Sequence, residues 1–152
     1  MLRCAISSPG TGFLAIGTSP KSARLVLLSA LALLLAGCGG APPPGVIATA
    51  DQGNFRRIVV DSKRPVLVEF WSHSCEPCKA LEPHLAALAR EHHELLVVKV
   101  NADENQPLVE DLGVRLLPTL FVYQDGVAMR TKVGAPQPAE LAELVSAYVT
   151  PK

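Results

Sequence analysis

Trp71-Ser72-His73-Ser74-Cys75-Glu76-Pro77-Cys78-Lys79 is the stretch on which the reading of this 152-residue chain turns. It is preceded by Val66-Leu67-Val68-Glu69-Phe70-Trp71, a β-branched and aromatic run whose almost continuous apolarity suits a strand buried on both faces. It is followed by Leu81, Leu85, Leu88 and Ala89 at the spacing of a buried stripe, which predicts a long helix from about Cys75 to His93. Pro83, inside that helix, removes one backbone donor and is expected to kink it. Two cysteines therefore sit where a buried strand hands over to a helix N-terminus. Such a terminus presents unpaired N–H groups and about half a positive charge. A thiolate is stabilised there and its pKa falls. With two residues between them, both sulfurs fit in one turn and can close a small disulfide. Cys75, first and nearer solvent, is expected to attack, and Cys78, one turn inside, to resolve the mixed disulfide. Pro77 suits the first turn, where its missing N–H has no helical partner to lose.

Outward from this centre the chain alternates between strand-like and helix-like segments. Val46 to Thr49 reads as a short edge strand, and Asp51 to Val60 as a helix with Asp51 as N-cap and Phe55, Ile58 and Val59 on one face. Lys63-Arg64-Pro65 ends it. Leu95 to Val100 is a second buried strand, and Pro107 to Leu112 a short helix closed by Gly113. Thr119 to Tyr123 and Met129 to Val133 flank Gln124-Asp125-Gly126, whose Asp-Gly pair is a hairpin signal. Pro138 to Val149 is a last amphipathic helix. The order βαβαβαββα implies an α/β fold, a central mixed β-sheet flanked by helices on both faces.

The N-terminal segment reads differently. Lys21 and Arg24 precede Leu25 to Ala36, an apolar run broken only by Ser29. Its 12 residues are too few to cross a bilayer as a helix, which takes about 20, and they fit the core of a signal peptide. Gly37-Cys38-Gly39-Gly40-Ala41-Pro42-Pro43-Pro44 cannot continue a helix. Leu35-Ala36-Gly37-Cys38 resembles the lipobox of bacterial lipoproteins. That resemblance implies cleavage before Cys38, lipidation of Cys38 and retention on a membrane by its acyl chains. Gly39 after the cysteine leans, in that family's sorting pattern, towards the outer membrane. The expected location is thus the bacterial cell envelope, facing the periplasm. Of four cysteines, Cys4 leaves with the leader and Cys38 is lipidated, so Cys75 and Cys78 remain in a compartment where disulfides form and persist.

The residues from Val46 to Val149 resemble the thioredoxin family. Phe70-Trp71 stands before the active-site motif Cys75-Glu76-Pro77-Cys78-Lys79, and Pro83 in the helix after it. Pro118 follows Leu116-Leu117 and precedes Thr119, and Asp125-Gly126 and Lys132-Val133-Gly134 complete the order. From Cys78 to Pro118 is 40 positions, which leaves no room for the insertion common in the cytochrome-maturation branch of that superfamily. The resemblance implies a thioredoxin fold over 46–152, behind a signal peptide at 1–37 and a lipidated, proline-rich tether at 38–45. It implies that Pro118 is a cis-proline whose loop lies beside the disulfide, and that Trp71, Glu76, Pro77, Leu117 and Pro118 face the substrate. It also implies that Glu69 stands where many thioredoxins carry a buried acid, with Lys99 beside it. Buried without a full partner, Glu69 should hold its proton more tightly and accept that of Cys78. Two residues depart from the family pattern. Ser74 replaces the usual tryptophan, removing an apolar docking surface, and Glu76 replaces the usual glycine, placing a carboxylate beside Cys75. Glu-Pro between the cysteines also occurs in thioredoxin-like reductases of cytochrome c maturation. His73 is expected to face solvent.

Composition excludes other classes. No acidic residue and three basic ones (Arg3, Lys21, Arg24) fall in the first 37, leaving 11 basic against 14 acidic residues in the remainder, a formal charge of −3. That is no basic face for nucleic acid. A zinc site needs a second ligand pair, and there is no second C-x-x-C, while adjacent His92 and His93 point different ways on a helix. No metal or organic cofactor is expected; the Cys75–Cys78 pair is the whole redox centre. The resulting expectation is a monomeric, membrane-anchored thiol–disulfide oxidoreductase. Two directions are open. As a reductase, which thioredoxin-like surroundings favour, it takes electrons from a membrane thiol donor and passes them to disulfides of exported proteins, apocytochrome c among them. As an oxidase it delivers disulfides instead. The alternative is a non-catalytic adaptor or holdase of the same fold with a structural disulfide.

Overall fold

The computed structural model describes residues 42–150. The leader, Cys4, Cys38 and the tether up to Ala41 lie outside the described residues.

Five strands form one sheet in the order β1-β3-β2-β4-β5: β1 Ile47–Thr49, β2 Val66–Trp71, β3 Leu96–Asn101, β4 Thr119–Gln124 and β5 Val127–Val133. β1 and β2 both pair parallel with β3, while β4 runs antiparallel to β2 and β5 antiparallel to β4. The expected mixed sheet is present, with β1 at its edge. The side-chain period of two divides its apolar residues between two faces. Val66, Val68, Phe70, Leu96, Val98, Val100, Phe121 and Tyr123 join Phe55, Ile58 and Val59 on one. Leu67, Val97, Leu120 and Val122 join Leu81, Leu85, Leu88 and Leu141 on the other. Burying both faces explains why the central strands read as continuous apolar runs.

Helix α1, Glu76–Glu91, and helix α3, Pro138–Val145, cover the second face; helix α2, Gln106–Asp111, lies on the first. α1 runs continuously through Pro83 and buries Cys78, Leu81, Leu85, Leu88 and Ala89. Gly113, at φ +66°, closes α2 in the left-handed conformation that glycine tolerates.

Two helical expectations need correction. The segment expected as a helix from Asp51 to Val60 opens with α-type bonds, from the Phe55 N–H to the Asp51 carbonyl at 2.8 Å and from the Ile58 N–H to the Asn54 carbonyl at 3.0 Å. It then widens into a π-turn at Arg56–Val60, where the Asp61 N–H reaches the Arg56 carbonyl. The residue that caps the π-turn is Phe55, without a side-chain bond, rather than Asp51. The Asp51 carboxylate accepts the Asn54 N–H at 2.9 Å in the turn before it, and Phe55, Ile58 and Val59 are buried together as expected. The wider turn satisfies the burial pattern that the sequence showed while breaking the 3.6-residue period. The last helix stops at Val145 rather than Val149. There the Ser146 hydroxyl and N–H both turn back to the Glu143 carbonyl, and the Tyr148 N–H bonds to Val145. A serine that hydrogen-bonds its own backbone competes with helix propagation.

Candidate active site

All three parallel strands point their C-terminal ends at one edge of the sheet, and the cysteine loop leaves β2 there. The loop is short and internally bonded. The Cys75 N–H donates to the Ser72 carbonyl at 3.2 Å, and the hydroxyls of buried Ser72 and exposed Ser74 lie 3.2 Å apart. Cys75 is the N-cap of α1, in extended backbone conformation, and its Sγ accepts the Cys78 N–H at 3.2 Å. One of the orphan donors of the helix start is thus spent on sulfur. A hydrogen bond from such an N–H is stronger to a charged acceptor than to a neutral one. Cys75 and Cys78 form a disulfide with Cα atoms 5.3 Å apart. Cys75 is partly exposed whereas Cys78 is 1% exposed, the asymmetry expected of an attacking and a resolving sulfur. Glu76 and Pro77 are both exposed in the first turn. Glu76 pairs with Lys79 at 2.6 Å, so part of its charge is answered on the surface.

Two positions on the central strands β2 and β3 carry charge on the α1 face. Glu69 on β2 and Lys99 on β3 are cross-strand partners. Glu69 is 0% exposed, and neither of its carboxylate oxygens has a hydrogen-bond partner among the described residues. Burial pushes its pKa up from 4.5 to about 7, with Lys99 pulling down and Glu82 pushing up more weakly. The Lys99 ammonium stands 4.0 Å from Glu69 Oε2, 3.4 Å from Glu82 Oε1 and 4.4 Å from the centre of the Trp71 ring. Trp71 is half-buried, and His73, exposed as expected, meets its ring edge-on at 4.8 Å.

The peptide bond between Leu117 and Pro118 is cis, and it lies immediately before β4. The Thr119 hydroxyl donates to the Leu116 carbonyl at 2.7 Å, and the Pro118 carbonyl accepts the Gly134 N–H at 2.8 Å. Pro118 is buried, Leu117 half-buried and Leu116 exposed. Because β4 is antiparallel to β2, its start lies at the same edge of the sheet as the end of β2 and the cysteine loop.

The family model for thioredoxin matches residues 46–147. The chain belongs to the thioredoxin family. Thioredoxin of Pseudomonas aeruginosa is 38% identical over 104 residues, a stretch covering 68% of this chain and 96% of that protein. Thioredoxin of Buchnera aphidicola is 35% identical, over 68% of this chain and 95% of that one. Among solved structures, a mutant thioredoxin from Halobacterium salinarum superposes with a TM-score of 0.66 at 31% identity, covering 74% of this chain and 99% of that one. Spinach chloroplast thioredoxin f superposes at 0.64 with 27% identity, over 68% and 87%. With its Cys75–Cys78 disulfide, the protein is a thioredoxin-type thiol–disulfide oxidoreductase.

The fold brings Cys75, Cys78, Glu76 and Pro77 together on one loop and first turn, with Trp71 at the end of the strand leading into it. Glu69, Lys99 and Trp71 form a second group on the α1 face, and Leu117 and Pro118 a third at the start of β4. Sequence reading paired Lys99 with Glu69 and missed Glu82, to which Lys99 is closer. The available signal was its spacing: Glu82 lies four residues after Cys78 and so on the same side of α1, beside the buried Leu81.

Proposed function

We propose that this protein is an exported, lipid-anchored disulfide reductase, held on the outer membrane of a bacterial envelope through Cys38 and acting in the periplasm as a monomer. Its clients are disulfides of exported proteins, apocytochrome c included, and its electrons come from a membrane thiol donor. The observation that carries the reading is the pairing of a partly exposed Cys75, whose sulfur caps the start of α1, with a buried Cys78. The lipobox-like Leu35-Ala36-Gly37-Cys38 supports the location.

In the proposed cycle the Cys75 thiolate attacks one sulfur of the client disulfide. A Cys75–client bond forms, the client S–S bond breaks, and the other client sulfur leaves as thiolate and takes up a proton. Cys78 then gives its proton to Glu69 and attacks Cys75 Sγ, forming the Cys75–Cys78 bond and releasing the second client thiolate. The client gains two electrons, and the dithiol loses two. Lys99 supplies counter-charge to Glu69. Trp71, Glu76, Pro77 and Leu117 form the surface against which the client chain lies, and buried Pro118 shapes the loop behind it.

Equilibrating the protein in glutathione buffers and mapping the state of the Cys75–Cys78 pair tests the direction. A potential near or below the cytosolic glutathione poise supports reduction; one far above it makes the protein an oxidant. Cys78→Ser should trap a mixed disulfide between Cys75 and client, and Cys75→Ser should abolish turnover. A Cys75→Ser protein that retains full effect on its partner would instead establish the adaptor.

A further inference from the structure

Lys99 is the cation nearest the buried carboxyl, yet it is not seated on it. Its ammonium is 3.4 Å from Glu82 and 4.0 Å from Glu69, beyond hydrogen-bonding distance of the latter. The Lys99 side chain is 12% exposed, with its stem along the sheet and its head between a carboxylate that is 0% exposed and one that is 58% exposed. The Trp71 face, 4.4 Å away, bounds the ammonium on a further side. One cation is therefore shared by two carboxylates on different elements, Glu69 on β2 and Glu82 on α1.

We propose that Glu82 is a positioning residue for the exchange reaction: from the solvent edge of α1 it draws the Lys99 ammonium outward and leaves Glu69 with only part of a counter-charge. This rests on the proton role assigned to Glu69 above.

The other charges around Glu69 do not substitute for Glu82. On the β4 side its cross-strand neighbour is apolar Leu120. Beyond Leu120 on β5 stands Lys132, engaged by Glu140 of α3 at 3.5 Å. On α1 the cysteines are disulfide-bonded, and Lys79 pairs with Glu76. Only Lys99 and Glu82 shift the Glu69 proton affinity by charge, and they act in opposite senses. Losing the Glu82 charge removes a repulsion and frees Lys99 to close on Glu69. Both changes favour the ionised form of Glu69.

The test titrates Glu69 directly in the oxidised protein, where the cysteines do not titrate, by carbon NMR of its side-chain carboxyl. Glu82→Gln should lower the Glu69 midpoint by roughly half a unit to one unit, and Glu82→Lys by more. For a midpoint near 7, a fall of about one unit takes the protonated fraction at pH 7 from about a half to about a tenth. The shift should shrink in 1 M salt, since Glu82 faces solvent. The pH profile of client reduction should move in the same direction. A Glu69 midpoint that stays put or rises in both variants overturns the proposal, whatever the kinetics do. If the midpoint falls while Glu82→Gln and Glu69→Gln keep the wild-type rate profile, the proton role of Glu69 fails and the sharing of Lys99 stands. Folding of each variant is checked by circular dichroism, and the exposure of Glu82 makes its loss mild for stability.

Discussion

Burying a carboxyl group in the central sheet ties the stability of the fold to pH. Glu69 holds its proton up to about pH 7 in the folded protein but only to about 4.5 when unfolded. Below pH 4.5 both states are protonated and burial of the neutral acid is tolerated. Between 4.5 and 7 the folded state keeps a proton that the unfolded state has released, so stability falls as pH rises. Above 7 the loss is complete, on the order of 3 kcal/mol. Glu69→Leu should abolish that slope. At pH 8 it should raise the unfolding free energy by about 1–3 kcal/mol, while client reduction slows. Urea unfolding of both proteins at pH 4.5 and pH 8 checks this, and parallel losses in both would refute it. At this scale the sequence was informative where chemistry is local. Cys75, Cys78 and Pro77 could be placed because three neighbouring positions and a strand-to-helix junction define them. Glu69 stood out as the one charge in an apolar run. The nearer partner of Lys99 could not be read, because it depends on how α1 is rotated above β3, which no local pattern encodes.

Among elements, α1 carries both the sulfur chemistry and much of one core. Leu85 is fully buried in its stripe, against Leu67, Val97 and Leu120 of the sheet face. Leu85→Ala should cost about 2–5 kcal/mol, read as a lower denaturant midpoint with unchanged slope. The β4–β5 hairpin is constrained otherwise. Asp125 and Gly126 both have positive φ, and a Cβ on Gly126 would stand 2.8 Å from the Val60 carbonyl oxygen. Gly126→Ala should therefore destabilise by about 1–3 kcal/mol through backbone strain and displacement of the π-turn, measurable in the same assay. Strands and turns were legible from sequence because a sheet buried on both faces writes itself as apolar runs, and Asp-Gly marks the turn between them. Helix ends were less so. The Arg56–Val60 segment keeps the right residues inside with a different hydrogen-bond period, and α3 ends where Ser146 bonds back to Glu143. Both outcomes turn on hydrogen bonds that residue periodicity does not report.

For the whole molecule, the proposed anchor is the feature to test first. Cys38→Ala should move the protein from the membrane to the soluble periplasmic fraction and end incorporation of labelled fatty acid, leaving exchange by the purified protein unchanged. No helix among the described residues is long and apolar enough to cross a membrane. The parallel direction of β1, β2 and β3 then acquires a spatial meaning. The dithiol lies at the C-terminal ends of these strands, and the chain enters at the opposite end through β1. There Arg64 donates to the Pro42 carbonyl at 3.0 Å, and Gly45 packs near His93. Cys38 lies four residues before Pro42 in the sequence, a span of at most about 14 Å, against about 30 Å for the width of a domain of this size. On the anchored reading, the sulfurs ride high and face away from the bilayer on a short leash. Disulfides flush with the lipid surface fall below their reach, and those presented a domain's height above it come within range. Altitude, as much as sequence, then sorts the clients.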